Sequence, residues 1–284
     1  MHSGKRPEQQ AFSDTGFGMH IKPLLTLVLS GVLLCHAGCA AVRTAPELPL
    51  IPDPAAYVQA AFTVPPGAAL SGIARITIKA ENASRSYKTV FACTYPDALR
   101  LEVLGLFNQP GLYVSANTDT GIVLCVPSEN AWYRGPATPE SMQRISGILM
   151  DPFDIVRTLH GRPPGPDPST AHISCTQDND NYACTLVHEE TVQQVWINPI
   201  VGRITRSLLF ENGLAVHDIR YQGFRQQDGR TIPETIQVLF DRYATSLEIR
   251  LQDTLTDPIE PGQLALQVPN GIVLLPIHAF GDPH

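Results

Sequence analysis

The stretch that decides the fold runs from Phe91 to Gly161 and opens as Phe91-Ala92-Cys93-Thr94-Tyr95-Pro96-Asp97-Ala98-Leu99-Arg100-Leu101-Glu102-Val103-Leu104. Two runs of strand-like alternation meet at the turn residues Pro96-Asp97, and an apolar loop at 105–111 follows them. Two further strand-like runs lead into two short amphipathic segments at 139–148 and 152–160. Adjacent strands, one apolar loop and a helical cover predict an open hydrophobic cup.

Alternating apolar and polar side chains extend this strand pattern along the rest of the chain, with turn residues between the runs. Short turns between sequential strands favour antiparallel pairing, because parallel strands need long crossovers. About thirteen strands are predicted, at 72–80, 84–95, 99–104, 112–117, 122–127, 131–135, 171–176, 182–188, 192–198, 203–210, 214–222, 232–241 and 245–254. The pattern predicts a mainly β protein, a single curved antiparallel sheet that forms an open half-barrel with a short helical lid.

Two helices interrupt the strands and supply the predicted lid. Thr138 and Asp151 each stand in the N-cap position directly before a proline, which is favoured at the first position of a helix. Gly161 is a plausible stop for the second helix. The following segment, 162–168, is rich in proline, so it is predicted to be an irregular connector within one domain.

The composition bounds the classes of function. The chain has 284 residues, 43% of them hydrophobic and 17% charged, which is ample for a large core. Its net charge of −7, with no cluster of Lys and Arg, argues against a nucleic-acid partner.

The N-terminal region carries a targeting pattern. Lys22 precedes a short apolar run, Leu24 to Leu34, which leads to Ala37-Gly38-Cys39. This predicts a signal peptide at 1–38, with Met19 as a possible true start. The last three residues also resemble a bacterial lipobox, which implies that Cys39 is lipid-anchored; ordinary secretion without a lipid is the alternative.

The residues after Cys39 complete the predicted organisation. By the same bacterial resemblance, Ala40 at the next position favours the outer membrane over the inner membrane. Residues 39–66 are predicted to be the anchor and a Pro/Ala-rich tether, with a turn or two of helix at 57–62. Residues 67–284 then form a single half-barrel domain.

Four cysteines remain for the folded body. Cys175 and Cys184 flank the turn cluster 178–181, and a hairpin there would place them opposite one another. A disulfide between them is predicted, because the periplasm is oxidising. Cys93 and Cys125 are separated by two predicted strands and are expected to be buried thiols. No Cys/His spacing matches a zinc site, so no metal is predicted.

Several short motifs, in order, resemble the LolB family of the LolA/LolB lipoprotein-localisation superfamily. The resemblance covers roughly residues 70–165, and the second half resembles the wider superfamily around 198–204, 228–234 and 268–271. The motifs are Leu99-Arg100-Leu101-Glu102-Val103-Leu104-Gly105-Leu106, Trp132-Tyr133-Arg134-Gly135, the Ser141 to Ile148 run, Asp151-Pro152-Phe153-Asp154-Ile155-Val156 and Leu159-His160-Gly161.

That resemblance implies a half-barrel with a helical lid and an apolar cavity for acyl chains. It also implies a protruding loop with an exposed Leu that helps to insert cargo into the membrane. In this chain the loop falls at 104–111, with Leu104, Leu106 and Phe107 as candidates and one of the last two at its tip; a loop folded back on the core is the alternative. The loop departs from the family's Pro-Leu-Gly pattern, and the chain is longer than LolB at its C-terminal end.

Nine apolar side chains are candidates for the cavity wall, although each could instead belong to an ordinary core. They are Phe91, Leu101, Val103, Trp132, Tyr133, Met142, Ile145, Met150 and Phe153. Arg100 and Arg134 are candidates for contact with a lipid headgroup, against the alternative of solvated strand residues.

The sequence shows no recognisable catalytic or cofactor-binding motif. There is no Gly-x-Ser-x-Gly elbow, and His188-Glu189-Glu190 lacks the second His of a zinc-protease helix. We therefore expect a non-enzyme without a cofactor.

Three hypotheses for the function follow. The first is an outer-membrane lipoprotein on the periplasmic side that binds acyl chains and assists reception of lipoproteins, with a LolA-like periplasmic carrier as a possible partner. The second is a carrier or sensor of another lipid or glycolipid. The third is a structural envelope lipoprotein that binds no ligand.

Overall fold

The computed structural model describes residues 48–81, 83–240 and 244–281. Within them one open, curved sheet of fourteen strands has the order β14-β6-β5-β4-β3-β2-β1-β13-β12-β11-β10-β9-β8-β7. Its strands are β1 (Ala69–Ala80), β2 (Ala83–Thr94), β3 (Ala98–Leu104), β4 (Pro110–Asn117), β5 (Gly121–Val126), β6 (Ala131–Gly135), β7 (His172–Asp178), β8 (Asn181–His188), β9 (Thr191–Asn198), β10 (Arg203–Glu211), β11 (Leu214–Gln227), β12 (Arg230–Phe240), β13 (Thr245–Leu255) and β14 (Leu274–Pro276). The predicted half-barrel fold is confirmed.

The sheet is a meander with one long-range closure. Neighbours in the chain pair antiparallel from β1 to β6 and from β7 to β13, as their short turns require, and β1 also pairs with β13. The register on β1 places Ile76 beside Tyr87 of β2 and Ile249 of β13. Because side chains alternate across a strand, these three point to the same, concave face.

Four α-helices accompany the sheet in the described ranges. They are α1 (Pro54–Phe62), α2 (Pro139–Ser146), α3 (Pro152–Leu159) and the single turn α4 (Pro261–Leu264). The cap residues act as predicted: the backbone N–H of Phe153 donates to Asp151 Oδ1 over 2.7 Å, and that of Ser141 donates to Thr138 Oγ1 over 3.4 Å. Gly147, in the left-handed conformation, ends α2.

Helix α1 lies in the segment where the sequence predicts the tether. Its buried side chains, Val58, Ala61 and Phe62, pack in the same core as the sheet. The ring of Tyr57 meets Tyr182 of β8 edge to face, with 5.3 Å between ring centroids. The helix therefore covers the concave face at the β7 end.

A polar cluster fixes the C-terminal end of α3 to the sheet. An Arg230 guanidinium N–H donates to His160 Nδ1 over 2.9 Å, and its other arm donates to the carbonyl of Ala69. His160 Nε2, which then carries the imidazole hydrogen, lies 3.7 Å from Cys93 Sγ. The guanidinium of Arg162 reaches the hydroxyl of Tyr95 beside it. Strands β1, β2 and β12 thus hold one end of the lid.

The C-terminal segment wraps around the opposite edge of the sheet. It crosses the convex face, where Arg100 donates to the carbonyl of Gln263 over 2.9 Å, and then adds β14 parallel to β6. Beyond β14, Ile277 packs so closely on Gly135 that a Cβ there would lie 2.2 Å from its side chain. The segment shields the β6 edge, which an open sheet must protect against unwanted pairing.

The cysteines of the folded body divide by position. The hairpin register pairs Cys175 with Cys184, and the two form a disulfide across β7 and β8 with Cα atoms 4.0 Å apart. Cys93 and Cys125 are free and buried.

The predicted signal peptide and Cys39 lie outside the described residues. No helix in the described ranges is both long and apolar enough to cross a membrane.

Candidate functional site

A cavity of about 650 Å³ lies between the concave face and the helices α2 and α3. Its wall comes from β1, β2, β3, β4 and β13, which are neighbours in the sheet. Along β1 it extends from Ala74 to Ala80, about 20 Å at the usual rise per residue of a strand. Its size falls in the range of about 300–1,000 Å³ that is typical of small-molecule sites.

The deep part of the cavity is apolar. Ala74 and Phe91 are buried at its floor, while Ile155 and Leu159 of α3 close it from above. The other buried lining residues are Thr89, Val114, Met142, Ile148, Leu247 and Ile249. A chamber of this kind suits an extended hydrocarbon chain, because its wall offers dispersion contacts and few polar partners.

The rim of the cavity consists of the lining residues that are exposed to solvent. They are Ala80, Ala83, Arg85, Gln143, Arg144 and Gly147. Three of them lie next to the β1–β2 turn and three lie in or directly after the second half of α2. The cavity therefore opens between the tip of a hairpin and the end of a lid helix.

Five of the nine predicted wall residues line this cavity. Three of them, Phe91, Leu101 and Val103, come from the sheet, and Met142 and Ile145 come from α2. The structure brings these five residues together across a strand pair and the lid.

The other four predicted wall residues do not line it, and this part of the prediction is corrected. Tyr133 packs edge to face on Phe280, 5.4 Å between centroids, and its neighbour Trp132 alternates to the convex face. Met150 is buried in the core between the helices. Phe153 lies two residues before Ile155 on α3, which turns it about 200° away from the cavity side of that helix.

The predicted headgroup arginines are also displaced from the cavity. Arg100 points to the convex face, where it pairs with Glu102 over 2.8 Å and binds the C-terminal segment. Arg134, next to the concave Tyr133 on β6, is exposed on that same convex face. The sequence missed Arg85, Tyr87, Ile76 and Ile249, because only the pairing of β1 with β2 and β13 assigns them to one wall.

The β3–β4 loop presents two apolar side chains to solvent. Leu106 is 97% exposed and Phe107 is 87% exposed, whereas Leu104 is half-buried at the end of β3. The loop is nevertheless ordered: the backbone N–H of Gly105 donates to Gln109 O over 2.8 Å, and Phe107 N–H donates to Gln109 Oε1 over 2.9 Å. The hydrogen-bonded conformation of the loop therefore itself exposes the side chains of Leu106 and Phe107.

The exposed loop and the cavity rim lie at the same end of the sheet. In an antiparallel meander every second turn emerges on the same side, so the β1–β2 and β3–β4 turns are neighbours. Lys88 of β2 holds the β3–β4 loop against the sheet, since its Nζ donates to Asn108 Oδ1 in the loop over 3.2 Å. The loop therefore lies at the same end of the sheet as the opening of the cavity.

One polar atom in the wall lacks a partner among the described residues. Thr89 is completely buried, and its hydroxyl makes no hydrogen bond there. Thr89→Val should therefore raise the free energy of unfolding by about 1 kcal/mol, because the mutation removes a buried unsatisfied group at nearly constant shape. Urea denaturation measures this. Thr77→Val is the matched control on the opposite face, where the hydroxyl bonds Ser86 Oγ over 3.2 Å, and it should bring no gain.

Comparison with known proteins adds a fold-level relationship. No protein-family model matches the chain, and no curated protein matches it either. Solved structures do match. A DUF1329 family protein from Desulfovibrio piger superposes with a TM-score of 0.54 at 12% identity, covering 75% of this chain and all of the other.

Two further solved structures match over a similar part of the chain. An outer-membrane lipoprotein-sorting protein domain from Vibrio parahaemolyticus superposes with a TM-score of 0.50 at 10% identity, covering 74% of this chain and 94% of the other. A LolA superfamily protein from Nitrosomonas europaea gives a TM-score of 0.48 at 11% identity, covering 74% and 96%. At such identities the likeness is one of fold: the chain is an open half-barrel with a helical lid.

Proposed function

We propose that this protein binds acyl chains in the cavity and assists the reception and insertion of lipoproteins at the outer membrane. The observation that carries the proposal is the open apolar cavity of about 650 Å³, with two exposed apolar side chains in a loop at the same end of the sheet as its opening. A half-barrel fold shared with a lipoprotein-sorting domain supports it.

Transfer in this proposal is driven by affinity. Acyl chains of the cargo pass from a soluble carrier into the cavity and then into the bilayer that the loop touches. Leu106 and Phe107 would each contribute roughly 1.5–3 kcal/mol on entering lipid. That is enough to hold the mouth against the surface of a membrane to which the chain is already tethered.

Location and partners belong to the same proposal. The lipobox-like Ala37-Gly38-Cys39 would supply the tether through a diacylated Cys39 on the periplasmic face of the outer membrane. A LolA-like carrier would deliver the cargo. The N-terminal segment would then connect the anchor to the folded body. It contacts the sheet at Tyr182, whose hydroxyl donates to the carbonyl of Pro49 over 2.5 Å.

Lipid content tests the cavity half of the proposal. The full chain, purified without added lipid, should carry acyl lipids detectable by solvent extraction and native mass spectrometry. Ile76→Trp, in the wall of the cavity, should lower this load several-fold because the larger ring occupies the chamber. Thr77→Trp, the next residue on the other face, is the control. If neither the unmodified protein nor the Thr77→Trp control carries lipid, the result would favour a purely structural lipoprotein.

A depletion strain tests the transfer half. Outer-membrane lipoproteins should accumulate in the periplasm or inner membrane when the protein is removed, and fractionation measures this. Correct delivery in the depleted strain, together with lipid in the cavity, would instead identify a carrier or sensor of another lipid or glycolipid.

A further inference from the structure

Three cationic residues stand directly opposite one another on the convex face of the sheet. The register pairs Arg75 of β1 with Lys88 of β2 on one side and with Arg250 of β13 on the other. All three are exposed, and they face away from the cavity, because the residues on either side of Arg75, Ala74 and Ile76, line it. This cationic row runs about 10 Å across three adjacent strands, at the usual spacing between neighbours.

Little of this charge is compensated nearby. Glu248 pairs with Arg250 over 2.8 Å, whereas Arg75 has no ion-pair partner among the described residues. Lys79 adds another exposed cation on the same face of β1. The convex face of β1, β2 and β13 therefore carries four cationic side chains against one carboxylate, in a chain whose net charge is −7.

The row is unfavourable for the isolated protein. Like charges at directly opposite positions of an antiparallel pair destabilise the sheet. Arg75 has such a neighbour on both sides. An anionic surface laid over the row would relieve this repulsion, so the arrangement is complementary to a partner with closely spaced negative charges.

The row adjoins the exposed apolar loop. Lys88 Nζ donates to Asn108 Oδ1 of that loop, next to the exposed side chains of Leu106 and Phe107. Interfacial proteins combine the same two features, because apolar groups enter the acyl boundary while Lys and Arg attract anionic headgroups. A soluble acidic protein would match the charge of the row but offers no hydrocarbon phase to the loop. The combination therefore favours a bilayer.

We infer that the cationic row binds the anionic headgroups of the bilayer that the loop enters. The inference rests on the membrane contact in the proposed function and adds the kind of surface, one whose phosphate groups carry net negative charge. It makes no use of the cavity, so acyl binding is tested separately by lipid content.

Vesicle sedimentation with two lipid compositions tests the inference. The protein is the full chain with Cys39→Ser, which removes the proposed acyl anchor. The vesicles contain phosphatidylcholine alone, or phosphatidylcholine with one quarter phosphatidylglycerol. We expect roughly tenfold tighter binding to the anionic vesicles at low salt. The preference should shrink in 1 M NaCl, where the Debye length is about 3 Å.

Variants assign the preference to the row. Arg75→Gln with Arg250→Gln should bring the two kinds of vesicle within about threefold of one another, while Lys88 and its bond to the loop stay intact. Glu248→Gln should strengthen the preference, because it removes the carboxylate beside Arg250. Arg134→Gln is the matched control, since it removes the same charge from an exposed convex position on β6 and should leave the preference unchanged.

The stability of Arg75→Gln tests the repulsion within the row. Its urea midpoint should lie above that of the unmodified protein at low salt, because the central charge is gone, and the gain should fade in 1 M NaCl. A lower midpoint would show that the row stabilises the sheet by itself, which contradicts the inference.

Three results with vesicles would also overturn it. Equal binding of the unmodified row to both kinds of vesicle would leave the contact of the loop with lipid in place and would point to an acidic protein as the partner. A preference that survives Arg75→Gln with Arg250→Gln would lie elsewhere on the protein. Absence of binding to either kind would remove the membrane contact of the proposed function, and the role of the row with it.

Discussion

Replacing Leu106 and Phe107 with Glu is expected to reduce transfer of acyl cargo into a bilayer at least tenfold, with the fold intact. Both side chains are almost fully exposed, so their mutation removes no core contact. Each would forfeit roughly 1.5–3 kcal/mol of lipid contact, and about 1.4 kcal/mol corresponds to a factor of ten. The loop backbone is held by Gly105 and Gln109, which the mutations leave unchanged.

The measurement is transfer of a fluorescent triacylated lipoprotein from a soluble carrier to vesicles that contain the anchored protein. Ile200→Glu is the matched control, because Ile200 is 92% exposed in the β9–β10 turn at the other end of the sheet. Urea denaturation of each variant checks stability. Unchanged transfer in the loop variant, or an equal loss in the control, would contradict a role for the loop in membrane contact.

Acidification is expected to destabilise the fold through two histidines. Removal from water, reinforced by the nearby charge of Arg230, lowers the pKa of His160 to about 3. Burial lowers the pKa of His217 to about 4, and both ring nitrogens lack a partner among the described residues. The unfolded chain takes up these protons near pH 6.5, so this contribution to stability is complete above pH 6.5 and is lost as the pH falls toward 4.

The size of the loss follows from the same linkage. Each histidine contributes up to about 1.4 kcal/mol per pH unit below its unfolded pKa. Two of them should lower the free energy of unfolding by about 2–4 kcal/mol between pH 7 and pH 5. That is a large part of the about 5–15 kcal/mol that holds a typical domain together.

Urea denaturation at a series of pH values measures this slope. His217→Leu should remove about half of it and His160→Gln the other half, with the double variant nearly flat in this range. Asp218 and Asp167, whose pKa values are lowered by their hydrogen-bond partners, contribute only at lower pH. A free energy of unfolding that stays constant from pH 7 to pH 5 would show that neither imidazole is protected in the fold.

Local patterns in the sequence were sufficient for thirteen of the fourteen strands and for both lid helices, whereas the three-residue strand β14 and the single turn α4 were not predicted. Alternation gave the strands, and the pairs Thr138-Pro139 and Asp151-Pro152 gave the starts of both lid helices. These signals are readable because capping and alternation involve residues within one turn or one strand. The apolar loop could be located in the same way, but its sequence left open whether Leu106 and Phe107 protrude, as the family resemblance implies, or fold back on the core.

The composition of the cavity needed the tertiary structure. The closure of β1 on β13 joins residues about 170 positions apart, and it sets which alternating set of side chains shares a wall with Phe91. The position of β12 beside β13 likewise brings Arg230 close to Ala69 and His160, which are distant from it in the chain. The sequence by itself thus determined the strands, caps and apolar loop of this half-barrel. Only the packing decided which residues form the wall and rim of the cavity, because the strands that share one wall of the sheet are distant from one another in the chain.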